Sequence, residues 1–212
     1  MRQRGFLSFI TLVILALLLQ ACGRGFEAQE ACNFLLNNNS QRVSWKARLP
    51  VRLHIHQSVP TQYYRPIELA VEHWNQSHPE QKLFEIVGYG TTGSSRPTRD
   101  GHNVIYWLTT WDQPHSREQG RTTLHWAGSQ ILEADIAINA EPGRHSFYAG
   151  DEEYLMGPHQ VDFKSLMIHE LGHALGMAHM QSPGSVMSPY LASGVSRREL
   201  GEADVHSLLC EY

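Results

Sequence analysis

The chain has 212 residues and a formal net charge of −4. With an N-terminal targeting segment set aside, this is enough for one domain with a sizeable core and too little for two. The mild acidity, with no basic run and no basic motif interleaved with aromatics, excludes nucleic acid as a partner. In chain order, Arg2 and Arg4 form a positive region ahead of a mostly apolar run from Phe6 to Leu19. That run is shorter than the roughly 20 residues of a membrane-spanning helix, so residues 1–21 are expected to be a signal peptide. Residues 22–42, most polar at Asn37-Asn38-Asn39-Ser40, are expected to form a tether, and residues 43–212 the folded domain. Val51 to His56 alternates like a strand. Pro66 to Gln76 carries Ile67, Ala70, Val71 and Trp74 at helical spacing, with the proline suited to a first turn. Further strands are predicted over Leu83–Val87, Val104–Leu108, Thr122–Trp126 and Glu133–Asn139, with Gly/Ser/Thr/Pro-rich Gly88–Asn103 and Thr109–Gly120 as loops. In the last strand Ala134, Ile136 and Ile138 share one apolar face, which predicts one covered side. A helix capped by Asp162 follows, then an irregular stretch and a final helix from Glu202 to Cys210. The order predicts an α+β fold: a twisted mixed sheet, an early helix, a central helix and a C-terminal helix.

The central helix carries the chemistry, in the run His169-Glu170-Leu171-Gly172-His173-Ala174-Leu175-Gly176-Met177-Ala178-His179. Positions i and i+4 share a helix face, so His169 and His173 can aim imidazole nitrogens at one ion. Glu170 projects beside the pair, where a general base for water would stand. A continuing helix would carry His179 about 15 Å past His169, out of reach. The helix must therefore stop and the chain turn back. Gly176 sits where a left-handed residue would make that turn. Three histidines leave a fourth zinc position open, as a catalytic site requires.

The pattern His169-Glu170-x-x-His173-x-x-Gly176-x-x-His179 resembles the long zinc motif of metzincin metalloproteases. Ser185-Val186-Met187-Ser188-Pro189-Tyr190 resembles their methionine turn. Ala134–Ile138 and Leu200–Leu209 bring the chain closest to the matrixin group, over about residues 50–212. The resemblance implies one catalytic zinc on His169, His173 and His179, Glu170 as catalytic base, and Met187 as an apolar floor. It implies that Glu133–Asn139 forms an edge above the cleft, where extended substrate pairs. It also implies that Pro189–Val195 walls the main specificity pocket. The chain departs from the group in two ways: no His/Asp cluster for a structural zinc stands upstream, and the cysteine motif of the matrixin propeptide is missing. Tyr190 resembles the tyrosine that some metzincins place near zinc, but it follows Met187 by three residues instead of two, so it is not expected to bind metal. Calcium is left unassigned.

Leu19-Gln20-Ala21-Cys22 resembles the lipobox of bacterial lipoproteins, which predicts cleavage before Cys22 and lipid on its sulfur. The enzyme would then sit in a bacterial cell envelope, anchored preferably in the outer membrane. The alternative is ordinary cleavage and secretion. Export favours a Cys32–Cys210 disulfide. Free thiols, or Cys32 as a latch on the metal, are the other readings. Together these expectations describe a monomeric, lipid-anchored zinc endopeptidase acting on proteins or peptides outside the cytoplasm. Two alternatives remain: a zinc-stabilised binding lipoprotein without catalysis, and a hydrolase of cell-wall peptide amides.

Overall fold

The computed structural model describes residues 32–212. The expected signal peptide (residues 1–21) and lipidation site Cys22 lie outside the described residues. Among the described residues seven strands and three α-helices follow in the order β1 (Val51–His56), α1 (Tyr64–Gln76), β2 (Phe84–Thr91), β3 (Asn103–Leu108), β4 (Gly120–Ala127), β5 (Gln130–Asn139), β6 (Phe147–Tyr148), β7 (Val161–Asp162), α2 (Phe163–Ala174) and α3 (Glu202–Glu211). The main sheet has the order β2-β1-β3-β5-β4. Its first four strands run parallel, and β4 alone is antiparallel, paired to β5. β6 and β7 form a small parallel ladder that the sequence did not signal; two-residue strands are too short to show a period. The fold is α+β, as expected.

The alternation of β1 works as predicted. Val51, Leu53 and Ile55 are buried with Ile105, Ala134, Ile136 and Ile138 in the cluster that also holds Ile67, Trp74, Leu166 and Leu171 from the helices. Trp74 Nε1 donates to the Ile168 carbonyl at 2.9 Å, joining α1 to α2. This indole bond satisfies a buried donor, and it also sets the register of the two helices.

One expectation about the sheet is corrected. The resemblance made Glu133–Asn139 an edge strand, but β5 lies between β3 and β4, and the edge is β4. β5 is also buried on both faces. The loop after β2 folds over its polar side, where Asp135 accepts from Thr98 N–H at 3.2 Å and Val104 N–H at 2.9 Å, and Glu133 accepts from Asp100 N–H at 3.0 Å. Two carboxylates thus serve as acceptors for a loop that has no ladder of its own. Burial, helped by nearby Glu133 and Asp100, pushes the Asp135 carboxyl up to about 7.

The end of the expected tether is also part of the domain. Phe34 is buried and forms an antiparallel bridge with Met177, and Leu35 N–H donates to the Gly176 carbonyl at 2.8 Å. Polar Asn37 to Ser40 is a turn: Asn37 Oδ1 accepts from the backbone of Asn39 and Gln41. The composition of a turn resembles that of a linker, because both need short polar side chains. Cys32 and Cys210 are both disulfide-bonded, so neither is a free thiol or a metal latch.

Candidate metal centre

Both ends of α2 form as the sequence requires. The Asp162 carboxylate caps the start by accepting from Ser165 N–H at 3.2 Å. At the far end Gly176 takes φ +98°, Gly176 N–H donates to the His173 carbonyl at 2.8 Å, and Met177 N–H donates to the Gly172 carbonyl at 3.1 Å. These two bonds are the Schellman pair, which reverses the chain directly after the helix. A side chain at 176 would also run into the Val43 carbonyl, so glycine is required there twice over.

The reversal returns His179 to the helix. His173 Nε2 lies 3.1 Å from His169 Nε2 and 3.1 Å from His179 Nε2, and all three donors fall within 4.8 Å of one another. Two nitrogens bound at about 2.0 Å in a tetrahedron stand about 3.3 Å apart, so the donor set fits one zinc ion. His169 Nδ1 donates to the Val186 carbonyl at 2.7 Å, and His173 Nδ1 donates to the Met177 carbonyl at 2.8 Å. A carbonyl can only accept, so the proton sits on Nδ1 and the Nε2 lone pair faces the centre. Burial lowers His169 and His173 to about 4, and lowers His179 as well, which keeps the rings in the neutral form that binds metal.

Glu170 stands beside this cluster and is buried. Thr122 Oγ1 on β4 lies 2.7 Å from Glu170 Oε2. Oε1 rests against Gly120, where any Cβ would come within 2.8 Å. Burial raises the Glu170 carboxyl, against the opposing pull of His173 and the Thr122 hydroxyl. The carboxylate and all three histidines line a cleft of about 530 Å³ between β4 and the Ser188–Leu191 segment.

Met187 is fully buried below the helix, and a Cβ on Gly172 would collide with its sulfur. The turn that presents it is held from α3. Asp204 accepts from Ser185 Oγ at 2.6 Å and from Val186 N–H at 2.9 Å. Since Val186 supplies the carbonyl that fixes His169, Asp204 is one bond removed from a ligand. Tyr190 is exposed and stands apart from the histidines' hydrogen bonds.

Four residues at the site escaped the sequence reading: Thr122, Gly120, Asp204 and Asn33. Asn33 Nδ2 donates to the carbonyls of Ala178 at 2.7 Å and His179 at 3.0 Å, and Ala178 N–H donates back to the Asn33 carbonyl at 2.9 Å. It clamps the turn bearing the third histidine from 146 residues away. No local pattern signals such a contact. Asp204 had one available signal, its position in the first turn of a helix.

The fold thus sets a histidine cluster of the size that fits one zinc ion beside a buried carboxylate. A profile of the matrixin family matches residues 98–212, just over half the chain, and the chain belongs to that family. It is 25% identical over 122 residues to Metalloendoproteinase 5-MMP of Arabidopsis thaliana, an alignment covering 41% of this chain. The chain spans about a third (34%) of the length of that relative.

Proposed function

We propose that the protein is a zinc-dependent endopeptidase cleaving proteins or peptides outside the cytoplasm, with Glu170 as general base. One observation carries this reading: three Nε2 atoms and an adjacent carboxylate converge on the wall of one open cleft. His169, His173 and His179 would hold the ion. Zinc held there supplies Lewis acidity toward water and toward the scissile carbonyl.

The remaining steps belong to the chain. Thr122 fixes Glu170 by engaging Oε2, which leaves Oε1 to take a proton from the attacking water. Burial has already raised this carboxyl, so it can return the proton to the departing amine. Gly120 leaves the space that Oε1 occupies, which any Cβ there would crowd. Edge strand β4 contributes Gly120, Arg121, Thr122 and Leu124 to the cleft. Its free backbone groups can pair an extended peptide and lay the scissile bond across the histidines. Cys22, with lipid on its sulfur, would keep this chemistry at a bacterial envelope surface.

The test is digestion of a denatured-protein mixture by the mature protein, with and without a chelator. Internal cleavages that stop with chelator and return with zinc are the expected result. Absence of any metal-dependent cleavage rejects the reading. Mass analysis of the native N-terminus tests the anchor, and an unmodified Cys22 rejects it.

A further inference from the structure

Two consecutive arginines, Arg197 and Arg198, have different surroundings. Arg198 is buried and bidentate on Asp162, at 2.7 and 2.8 Å, so its charge is matched. Arg197 faces the cleft. Its guanidinium donates only to neutral carbonyls, Ser188 O at 3.3 Å and Tyr190 O at 3.1 Å. Among the described residues no carboxylate comes within ion-pairing distance of it. Five N–H donors make up a guanidinium, so most of its donors remain for a ligand.

Its place is set from two sides. Arg197 N–H donates to Ser165 Oγ at 2.7 Å, and Ser165 is one helical turn before His169 on α2. The two carbonyls that hold the guanidinium belong to the segment after Met187 that walls the cleft. Arg197 therefore stands at the His169 end of the cleft, among Ser165, Leu166 and Leu191.

The other charges of the cleft reinforce it. Glu118 is taken by Arg121 at 2.6 Å, and Glu170 is engaged at the histidines. Arg117 also lines the cleft and has no carboxylate partner among the described residues. A chain of net charge −4 thus presents an excess of positive charge where substrate lies. Charge of one sign in a concave site concentrates ligands of the other sign.

We propose that Arg197 makes this cleft select an acidic side chain, Asp or Glu, at the substrate position seated beside His169, next to the scissile bond. The inference rests on the endopeptidase reading. A carboxylate there forms a charge-assisted pair with the unengaged guanidinium donors. Leu166 and Leu191 pack on the methylenes of the same side chain.

The test uses zinc-loaded mature protein and a set of fluorogenic peptides identical except at one position. Glu, Gln, Leu and Lys are placed in turn on either side of the scissile bond. At the position beside His169, kcat/KM for Glu is expected to exceed that for Gln by about tenfold. The margin should shrink as salt rises. Arg197→Lys should keep the order Glu over Gln. Arg197→Glu should reverse it, so that Lys becomes the favoured residue, a gain that misfolding cannot produce. Zinc stoichiometry of each variant, measured alongside, reports that the site has folded. Turnover of all peptides with no preference for Glu, or a preference unchanged in Arg197→Glu, overturns the role of Arg197. No turnover of any peptide overturns the endopeptidase reading instead.

Discussion

Two groups of three histidines lie on opposite sides of the sheet, and only one is built to hold metal. His169, His173 and His179 bring their Nε2 atoms together, with carbonyls holding Nδ1 of the two helical members. His54, His56 and His102 border a second cavity with Asp100 and Tyr106. There His56 Nδ1 accepts from Ser58 N–H at 3.1 Å, which puts the ring proton on Nε2. That Nε2–H is buried and has no partner. His54 and His102 meet ring to ring, with centroids 5.5 Å apart in an edge-on arrangement. For His56, His169 and His173 the state of one ring nitrogen is therefore set by what the other touches. A carbonyl on Nδ1 leaves a lone pair on Nε2; an N–H on Nδ1 removes it.

The strongest way to break this contrast is to count metal. His173→Ala should lower bound zinc from one ion per chain to none. The combined change of His54, His56 and His102 to alanine should leave one. Atomic absorption on both variants decides, and loss of zinc from the triple variant would overturn the contrast. Next in size, Glu170→Gln should keep the zinc and lower kcat by about 10²–10⁴-fold, the range for removal of a positioned acid–base group. Turnover within threefold of the parent would reject Glu170 as the base.

A smaller effect is expected at the clamp. Asn33→Ala removes both bonds to the Ala178–His179 backbone but touches no ligand atom. Zinc affinity, read by competition with a chromophoric chelator, should fall about tenfold, as for other supports of ligand orientation. An unchanged affinity would make Asn33 a local staple only.

The smallest expected effect lies on the far side of the sheet. The Asp135 carboxyl is raised from its ordinary 3.8 to about 7, first by burial. The folded state then holds a proton that the unfolded chain releases near pH 4. Its contribution to stability is complete below that pH and is lost as pH rises through about 7. Chemical denaturation of the parent and of Asp135→Asn from pH 5 to 8 should show the parent losing stability relative to the variant, since the buried His169 and His173 act on both curves alike. A difference between the two curves that stays constant over this window would contradict the assignment.

Much of the candidate metal centre was legible beforehand because it is local. His169, Glu170, His173, Gly176 and His179 fall within 11 residues, and helix geometry plus one left-handed glycine converts their spacing into a cluster. Asp162 as a cap and Met187 beneath the helix follow the same logic. β6 and β7, of two residues each, were not legible, whereas the five strands of the main sheet were legible in place. Their neighbours were not: the apolar pattern of β5 is the same for an edge strand as for an inner one. What makes β5 an inner strand is its pairing with β3 on one side and β4 on the other, which no local pattern carries.

By itself, then, the sequence determined the histidine triad, the helix that carries two of its members, the break that returns the third, and the α+β character of the domain. All of these depend on dihedral preferences and contacts between near neighbours in the chain. The tertiary structure decided that β4 borders the cleft, that residues 33–36 clamp the third histidine's turn, and that Asp204 fixes the methionine turn. It also decided that Arg197, beside a paired Arg198, keeps its charge for the cleft. These depend on which distant groups pack together. The sequence holds the charges, but only packing decides which charges find partners.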